Sequence, residues 1–307
     1  MLQYLIILLD DTSTSYCHYE NPAKKAELIP LDILKTGIRF GMKENLMIQF
    51  VYPNYELPAE YKEVIESIDH SKIKPTKEDA DVWVVNSIKD VKADIPVVWR
   101  TDRQTLFDSE PYVANVLENV PSLNIVLTDV TAFTDADIDA YKAFLQRLSV
   151  KIEQLYVDGK APQLNLLTDR MMLKEMNNCG AGDTTITLAP NGKFYICPAF
   201  YYEAETDSVG DLEHGLDIKN KQLYKLEYAP ICRHCDAYQC KRCIWLNRKT
   251  TLEVNTPSHE QCVLAHIERN ASRELLQNIR KHGTFLPEQE DIKEIDYLDP
   301  FDKRDEW

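Results

Sequence analysis

The sequence predicts an α/β protein carrying a cysteine-rich addition, on three observations. Short apolar runs of strand length recur through the first half, amphipathic helical patterns lie between them, and seven of the eight cysteines fall in the 84 residues from Cys179 to Cys262. Strands alternating with helices imply a parallel sheet.

The first run, Leu2–Leu9, has strand length and is bounded by polar residues, as expected of a strand covered on both faces. Similar runs follow at Met47–Tyr52, Val82–Val85, Val97–Trp99, Asn124–Leu127 and Leu164–Leu167. Helical periodicity marks Leu31–Met42, Glu60–Ile68, Gln104–Glu118 and Asp135–Tyr156. The last of these opens on Thr134 as N-cap, with Asp135 and Asp137 placed to complement the helix dipole. Its stripe Ile138, Tyr141, Phe144, Leu145, Leu148, Ile152 and Leu155 predicts a core face.

Beyond residue 180 the spacing changes. Thr185–Leu188 and Lys193–Ile196 read as strands joined by Pro190-Asn191-Gly192, a tight hairpin turn that leads into Cys197. Ser258 with Gln261 three residues on forms a capping box for a helix that Gly283 stops. That helix carries Cys262 in its first turn and His266 one turn further on the same face, from which His266 could approach a cluster, although it reads more as an ordinary helix residue than as a ligand.

Totals exclude several function classes. Fifty acids against 35 Lys and Arg give a net charge of −15, which opposes nucleic acid and anionic membranes alike, since phosphate binding rests on Lys and Arg. No run approaches the roughly 20 apolar residues of a membrane span. Met1–Leu9 lacks a basic lead and runs into Asp10 and Asp11, unlike a secretory signal, so a cytoplasmic location is expected. In that compartment clustered cysteines are metal ligands more often than disulfides.

The cysteines read C-x12-G-x4-C (Cys179, Gly192, Cys197), then C-x2-C-x4-C-x2-C (Cys232, Cys235, Cys240, Cys243), then Cys262. Two C-x2-C turns suit either zinc or an iron–sulfur cluster, and spacing alone leaves both open. The complete pattern resembles the SPASM domain of peptide-modifying radical SAM enzymes. The resemblance implies two [4Fe–4S] clusters: Cys179, Cys197 and Cys243 match the first, and Cys232, Cys235, Cys240 and Cys262 the second. The dense run is one residue shorter in each of its last two gaps than that family's C-x2-C-x5-C-x3-C. The first set has three cysteines, so its fourth iron is open or capped by Asp183 or a histidine.

The resemblance extends to the N-terminal part by what is missing. Radical SAM enzymes carry C-x3-C-x2-C after their first strand; counting back from Cys17, the other two positions here are Asp10 and Thr14. Where the family has Gly-Gly-Glu-Pro after the second strand, this chain reads Pro53-Asn54-Tyr55-Glu56-Leu57-Pro58. Cys17 itself reads as a buried thiol beside a strand end.

Together these features resemble the CXXX repeat peptide maturase family. The implied layout is a degenerate radical SAM-like partial (β/α) barrel over residues 1–175, a SPASM-like domain over 176–285, and an acidic tail over 286–307. The tail holds nine acids and three bases from Glu288 on, interspersed with Ile292, Ile295, Tyr297, Leu298, Phe301 and Trp307, which suits docking on a partner or on the chain's own barrel. The implied function is an accessory iron–sulfur protein in maturation of a ribosomally made Cys-repeat peptide. It would bind the precursor, a partner radical SAM maturase or both, without cleaving S-adenosylmethionine or acting as an independent radical enzyme. A zinc-stabilised binding module and an enzyme working through an open cluster are the alternatives.

Overall fold

The computed structural model describes residues 1–293, so most of the acidic tail lies outside it. In chain order the strands are β1 (Tyr4–Leu8), β2 (Met47–Val51), β3 (Ser71–Lys74), β4 (Val82–Val85), β5 (Val97–Thr101), β6 (Ser122–Leu127), β7 (Gln163–Leu164), β8 (Thr185–Leu188), β9 (Phe194–Tyr195), β10 (Gly210–Asp211) and β11 (Gly215–Leu216). The helices are α1 (Leu31–Lys43), α2 (Ala59–Glu66), α3 (Arg103–Asp108), α4 (Glu110–Val116), α5 (Asp135–Val157), α6 (Thr168–Met172), α7 (Pro198–Glu203), α8 (Ile244–Thr251) and α9 (His259–Arg280). The chain forms two compact units, one of residues 1–85 and 179–233, the other of residues 86–178 and 234 onward.

In the first unit the strand order is β4-β3-β2-β1-β8-β9. β1 is central, parallel to β2 (Tyr4 opposite Met47) and to β8 (Tyr4 opposite Thr185), while β8 and β9 form the expected hairpin (Leu188 opposite Phe194). Leu5, Ile7, Leu8 and Leu9 are fully buried, so the apolar run is a strand covered on both sides. α1 lies unusually near its sheet: a Cβ on Gly37 would stand 2.3 Å from Leu188 Cδ2, and one on Gly41 2.8 Å from Ile48 Cδ1. Glycine permits that approach.

β3 escaped the sequence reading because Ser-Lys-Ile-Lys carries little hydropathy. Its Lys72 is buried along the stem, and its ammonium meets Glu66 at 2.5 Å and Asp79 at 2.6 Å, which together raise its pKa despite burial.

The second unit orders its strands β7-β6-β5, all parallel. The single helix expected over Gln104–Glu118 is instead α3 and α4, divided at Ser109. Pro111 supplies the cause, since its ring would collide with the carbonyl four residues back in a continuous helix, yet it is tolerated in the first turn of a new one. α5 has the predicted Thr134 cap, completed by Asp137 as a capping box, and six of its seven stripe residues are buried; Ile138 is half-buried. α9 likewise opens on the Ser258–Gln261 capping box. Residues 285–291 return to the same unit: Arg280 donates to the carbonyls of Phe285 (3.2 Å), Leu286 (2.8 Å) and Gln289 (2.7 Å), and Gln289 Nε2 donates to Leu173 O (2.8 Å). Thus the described start of the tail folds back on its own chain.

Between α5 and α9, Tyr141 donates a 2.7 Å hydrogen bond to Glu268 Oε1. Burial pushes the Glu268 carboxyl up to about 8; the Tyr141 hydroxyl and Lys241 oppose that rise without cancelling it. An unfolded glutamate ionises near about 4.3. Between those values the folded state holds a proton that the unfolded state has shed, so stability falls as pH rises across the interval. Melting temperature should therefore decline from about pH 4.5 to 8 by more in the parent than in Glu268→Gln, and the variant should be the more stable at about pH 8.5. Identical pH slopes would show that Glu268 is solvated.

Candidate functional site

In the first unit β1 delivers the loop that, by resemblance, would hold the radical-initiating cluster. Asp10, at the first thiolate position, is fully buried and its side chain accepts three hydrogen bonds. Oδ1 accepts the Thr12 backbone N–H at 2.7 Å and the Thr12 hydroxyl, while Oδ2 accepts the Tyr55 hydroxyl at 2.7 Å. Tyr55 lies in the segment that replaces Gly-Gly-Glu-Pro, so the two departures from the family pattern are bonded to one another. Ser13 Oγ accepts Asp10 N–H at 3.1 Å and donates to Val51 O at 2.8 Å, and Thr14 N–H is spent on Tyr52 O at 2.9 Å. This loop is closed by oxygen and nitrogen bonds where the family would coordinate iron. Cys17, expected to be buried, is partly exposed, because it lies beyond the tightly bonded part of the loop.

The same loop is roofed by α7, which begins immediately after Cys197 with Pro198 in its first turn. Tyr201 donates to Asp11 Oδ1. Tyr202 stacks on Tyr19 at 5.6 Å between centroids, and Tyr19 meets Tyr16 edge-on at 6.1 Å. Burial pushes the Asp11 carboxyl up, the Tyr201 bond only partly offsetting it. Burial also drives the Tyr16 hydroxyl well up, and Cys17, Cys197 and Cys179 all stand near enough to oppose its ionisation further. Hence Cys17 shares surroundings with two of the three predicted first-cluster cysteines, a neighbourhood the sequence reading missed because it is made by sheet pairing. Cys179 O accepts the Thr185 hydroxyl at 3.0 Å. Asp183, a candidate cap, sits in a turn where it donates its N–H to Gly180 O at 2.9 Å. Gly182 in that turn has φ +80°, and a Cβ there would meet the Tyr224 ring at 2.7 Å.

The second unit holds Cys235, Cys240, Cys243 and Cys262, whereas Cys179, Cys197 and Cys232 belong to the first. Cys235 Sγ accepts the Ala237 N–H at 3.4 Å and lies 3.6 Å from His266 Nε2. His266, read from sequence as an ordinary helix residue, is thus set against a predicted ligand. Adjacent Asp236 anchors the segment: its carboxylate takes Arg269 Nε at 2.9 Å and Nη2 at 2.7 Å, and Arg170 Nη2 at 3.5 Å. Its carbonyl accepts Arg170 Nε at 2.6 Å, and Arg170 covers the Tyr238 ring at 4.2 Å. Burial would raise the Asp236 carboxyl, but the two guanidinium groups hold it below the usual range. Gln239 Nε2 ties the same loop to Ala265 O at 3.0 Å. Cys243 stands at the N-cap of α8, whose buried Asn247 accepts Gln261 Nε2 at 3.0 Å.

None of the eight cysteines is joined in a disulfide. Among the described residues no group of three or more His, Cys, Asp or Glu is arranged to hold a metal ion. No helix among them is long and apolar enough to cross a membrane. The donor chemistry of the thiol-rich segments fits iron or zinc. The Asp10 loop does not fit a cluster, because the carboxylate that would have to coordinate is already committed to three hydrogen-bond donors.

The sequence matches no family of known proteins by profile, and it matches no curated protein. Solved structures do share its architecture. Native anSMEcpe with bound AdoMet and Cp18Cys peptide superposes at a TM-score of 0.61 and 11% identity, covering 91% of this chain and 99% of that one. A hexahistidine-tagged form of the same protein with bound AdoMet gives 0.60 at 12% identity over 91% and 96%. The form with AdoMet and Kp18Cys peptide gives 0.58 at 12% identity over 90% and 99%. That protein is an anaerobic sulfatase-maturating radical SAM enzyme with a SPASM domain. This chain has a radical SAM-type fold.

Proposed function

We propose that this chain is an accessory metalloprotein of peptide maturation, one that binds a Cys-repeat precursor, a partner radical SAM maturase or both, and that does not cleave S-adenosylmethionine itself. The observation that carries this reading is the Asp10 carboxylate, buried and bonded to Thr12 and Tyr55 where the first cluster thiolate would stand. Support for a peptide partner comes from the fold, which is similar to that of a maturase seen with bound peptides. The chain's charge of −15 speaks against a nucleic-acid partner. The metal ligands are Cys179, Cys197 and Cys243 in one set and Cys232, Cys235, Cys240 and Cys262 in the other, as two [4Fe–4S] clusters. Zinc is the second reading, favoured by the Cys235–His266 approach.

Two titrations test the proposal. The anaerobically purified chain should give no heat with S-adenosylmethionine and release no 5′-deoxyadenosine under reductant, and it should bind a Cys-repeat peptide more tightly than the Cys-to-Ser version. Micromolar affinity for S-adenosylmethionine would overturn the non-catalytic assignment. Indifference to both peptides and to a partner maturase would overturn the accessory one.

A further inference from the structure

We propose that the acidic segment 294–307, outside the described residues, docks on α8 of its own chain, across Trp245, Lys249 and Leu252, as an intramolecular cover beside the cysteine loop that leads into that helix. The inference goes beyond the accessory role proposed above and needs no metal.

α8 differs from the rest of the chain in its charge and in what it leaves outside. From Ala237 to Leu252 there are four Lys and Arg and no acid, in a protein with fifty acids. The buried face of the helix carries Ile244 and Asn247, so a different face presents Trp245, Lys249 and Leu252 at helical spacing. Lys249 lies over the Trp245 ring, 5.4 Å from its centroid. Leu252 is 85% exposed, more than any other large apolar side chain among the described residues except Met1. It also caps the helix at φ +64°, in the left-handed region where glycine is the ordinary choice. Folding alone gives no reason for leucine at that position, since it strains the backbone and buries little of its side chain. A docked segment supplies the reason, because the leucine is then removed from water.

Reach, charge and pattern identify the occupant. The chain leading into the tail is fixed in the same unit: Ile292 is buried, and Arg269 Nη2 on α9 donates to Lys293 O. Eight residues earlier on α9, Gln261 Nε2 bonds to Asn247 of α8 at 3.0 Å. The tail therefore starts about 12 Å along the α9 axis from α8, at about 1.5 Å per residue. Fourteen residues of flexible chain span about 20 Å. The gap is easily bridged. Residues 294–307 hold six acids against Lys303 and Arg304, complementing Arg248 and Lys249 in the last turn of α8. Ile295, Tyr297, Leu298, Phe301 and Trp307 bring apolar side chains to Trp245 and Leu252, which a merely solvating tail would lack. A second copy carries the same segment, but a short tether acts at about millimolar effective concentration, so at micromolar protein the chain's own tail is favoured about a thousandfold. Cys243 is the N-cap of α8 and Cys240 stands three residues before it, so the docked tail competes with any acidic partner for the surface next to those thiols.

The experiment uses the full chain with the photo-cross-linker p-benzoylphenylalanine in place of Phe301. A mixture of unlabelled and 15N-labelled protein is irradiated, and the links are mapped by mass spectrometry. The expected product joins position 301 to the segment 245–252 within one chain. Leu252→Gly relieves the strained cap, so this variant should keep the parent circular dichroism while its yield of that link falls at least about threefold, the shift expected from losing one buried apolar anchor. Lys249→Glu should lower the yield as well, and so should salt at about 1 M in the parent, where charge attraction is screened. Links between labelled and unlabelled chains would assign the face to a second copy, and links within one chain to segments outside 237–252 would place the tail elsewhere; either result overturns the proposal. It also fails if no link forms, or if Leu252→Gly and Lys249→Glu both leave the yield unchanged.

Discussion

Replacing Asp236 with Ala should destabilise the folded chain by about 3–5 kcal/mol, the cost of leaving a buried charge without its partner. The carboxylate is shared by Arg269, whose side chain is 1% exposed, and Arg170, at 7%. Removing it deprives two buried guanidinium groups of their shared carboxylate, leaving Arg269 the neutral acceptors Asn270 Oδ1 and Lys293 O and Arg170 the backbone carbonyl of residue 236. Asp236→Ala combined with Arg269→Leu should lose less than Asp236→Ala alone, because the second change withdraws one stranded charge. The pH dependence follows from the sign of the shift: the folded carboxyl is held low, so its contribution is complete above about 3.9 and is lost as pH falls through the lower folded value. Urea denaturation at neutral pH measures the effect. A loss below about 1 kcal/mol, the range of exposed ion pairs, would mean that water reaches this cluster.

Asp10→Ala should cost about 2–3 kcal/mol, as expected when a buried acceptor shared by several donors is removed. Thr12 N–H and the Tyr55 hydroxyl lose their common acceptor, and the loop between β1 and α7 loosens. Tyr55→Phe removes one of those bonds and should cost about 1 kcal/mol. The pair of variants separates a structural latch from a vestigial cofactor loop: a chain whose melting is indifferent to both substitutions has no latch there. Asp10→Cys should behave like Asp10→Ala, since a thiol accepts hydrogen bonds weakly.

Periodicity and burial made much of the fold legible. Leu2–Leu9 announced β1, and the Ile138–Leu155 stripe announced α5, because both elements bury faces whose side chains repeat at the period of their own backbone. What failed depended on the rest of the chain. Lys72 looks exposed until its ion pairs with Glu66 and Asp79 are known. The break at Ser109 was available from Pro111 but was overridden by an apolar pattern that continues through it. For the candidate site, the absence of thiolates at Asp10 and Thr14 was plain from sequence, yet the bond from Tyr55, 45 residues away, was not. Likewise helical spacing put His266 on the face of Cys262, while its approach to Cys235 is created by tertiary packing around Asp236 and Arg269.

The pairing of β1 with both β2 and β8 has a kinetic consequence. β2 follows β1 by some forty residues, but β8 arrives only after about 180. As the chain leaves the ribosome, this buried apolar strand therefore waits about 180 residues with one hydrogen-bonding edge open, and such edges recruit foreign strands. Closing so long a loop is also slow compared with forming local contacts. Productive folding of the first unit is thus timed by the emergence of Thr185–Leu188, and the interval before it is when this chain is most exposed to aggregation and most in need of a chaperone.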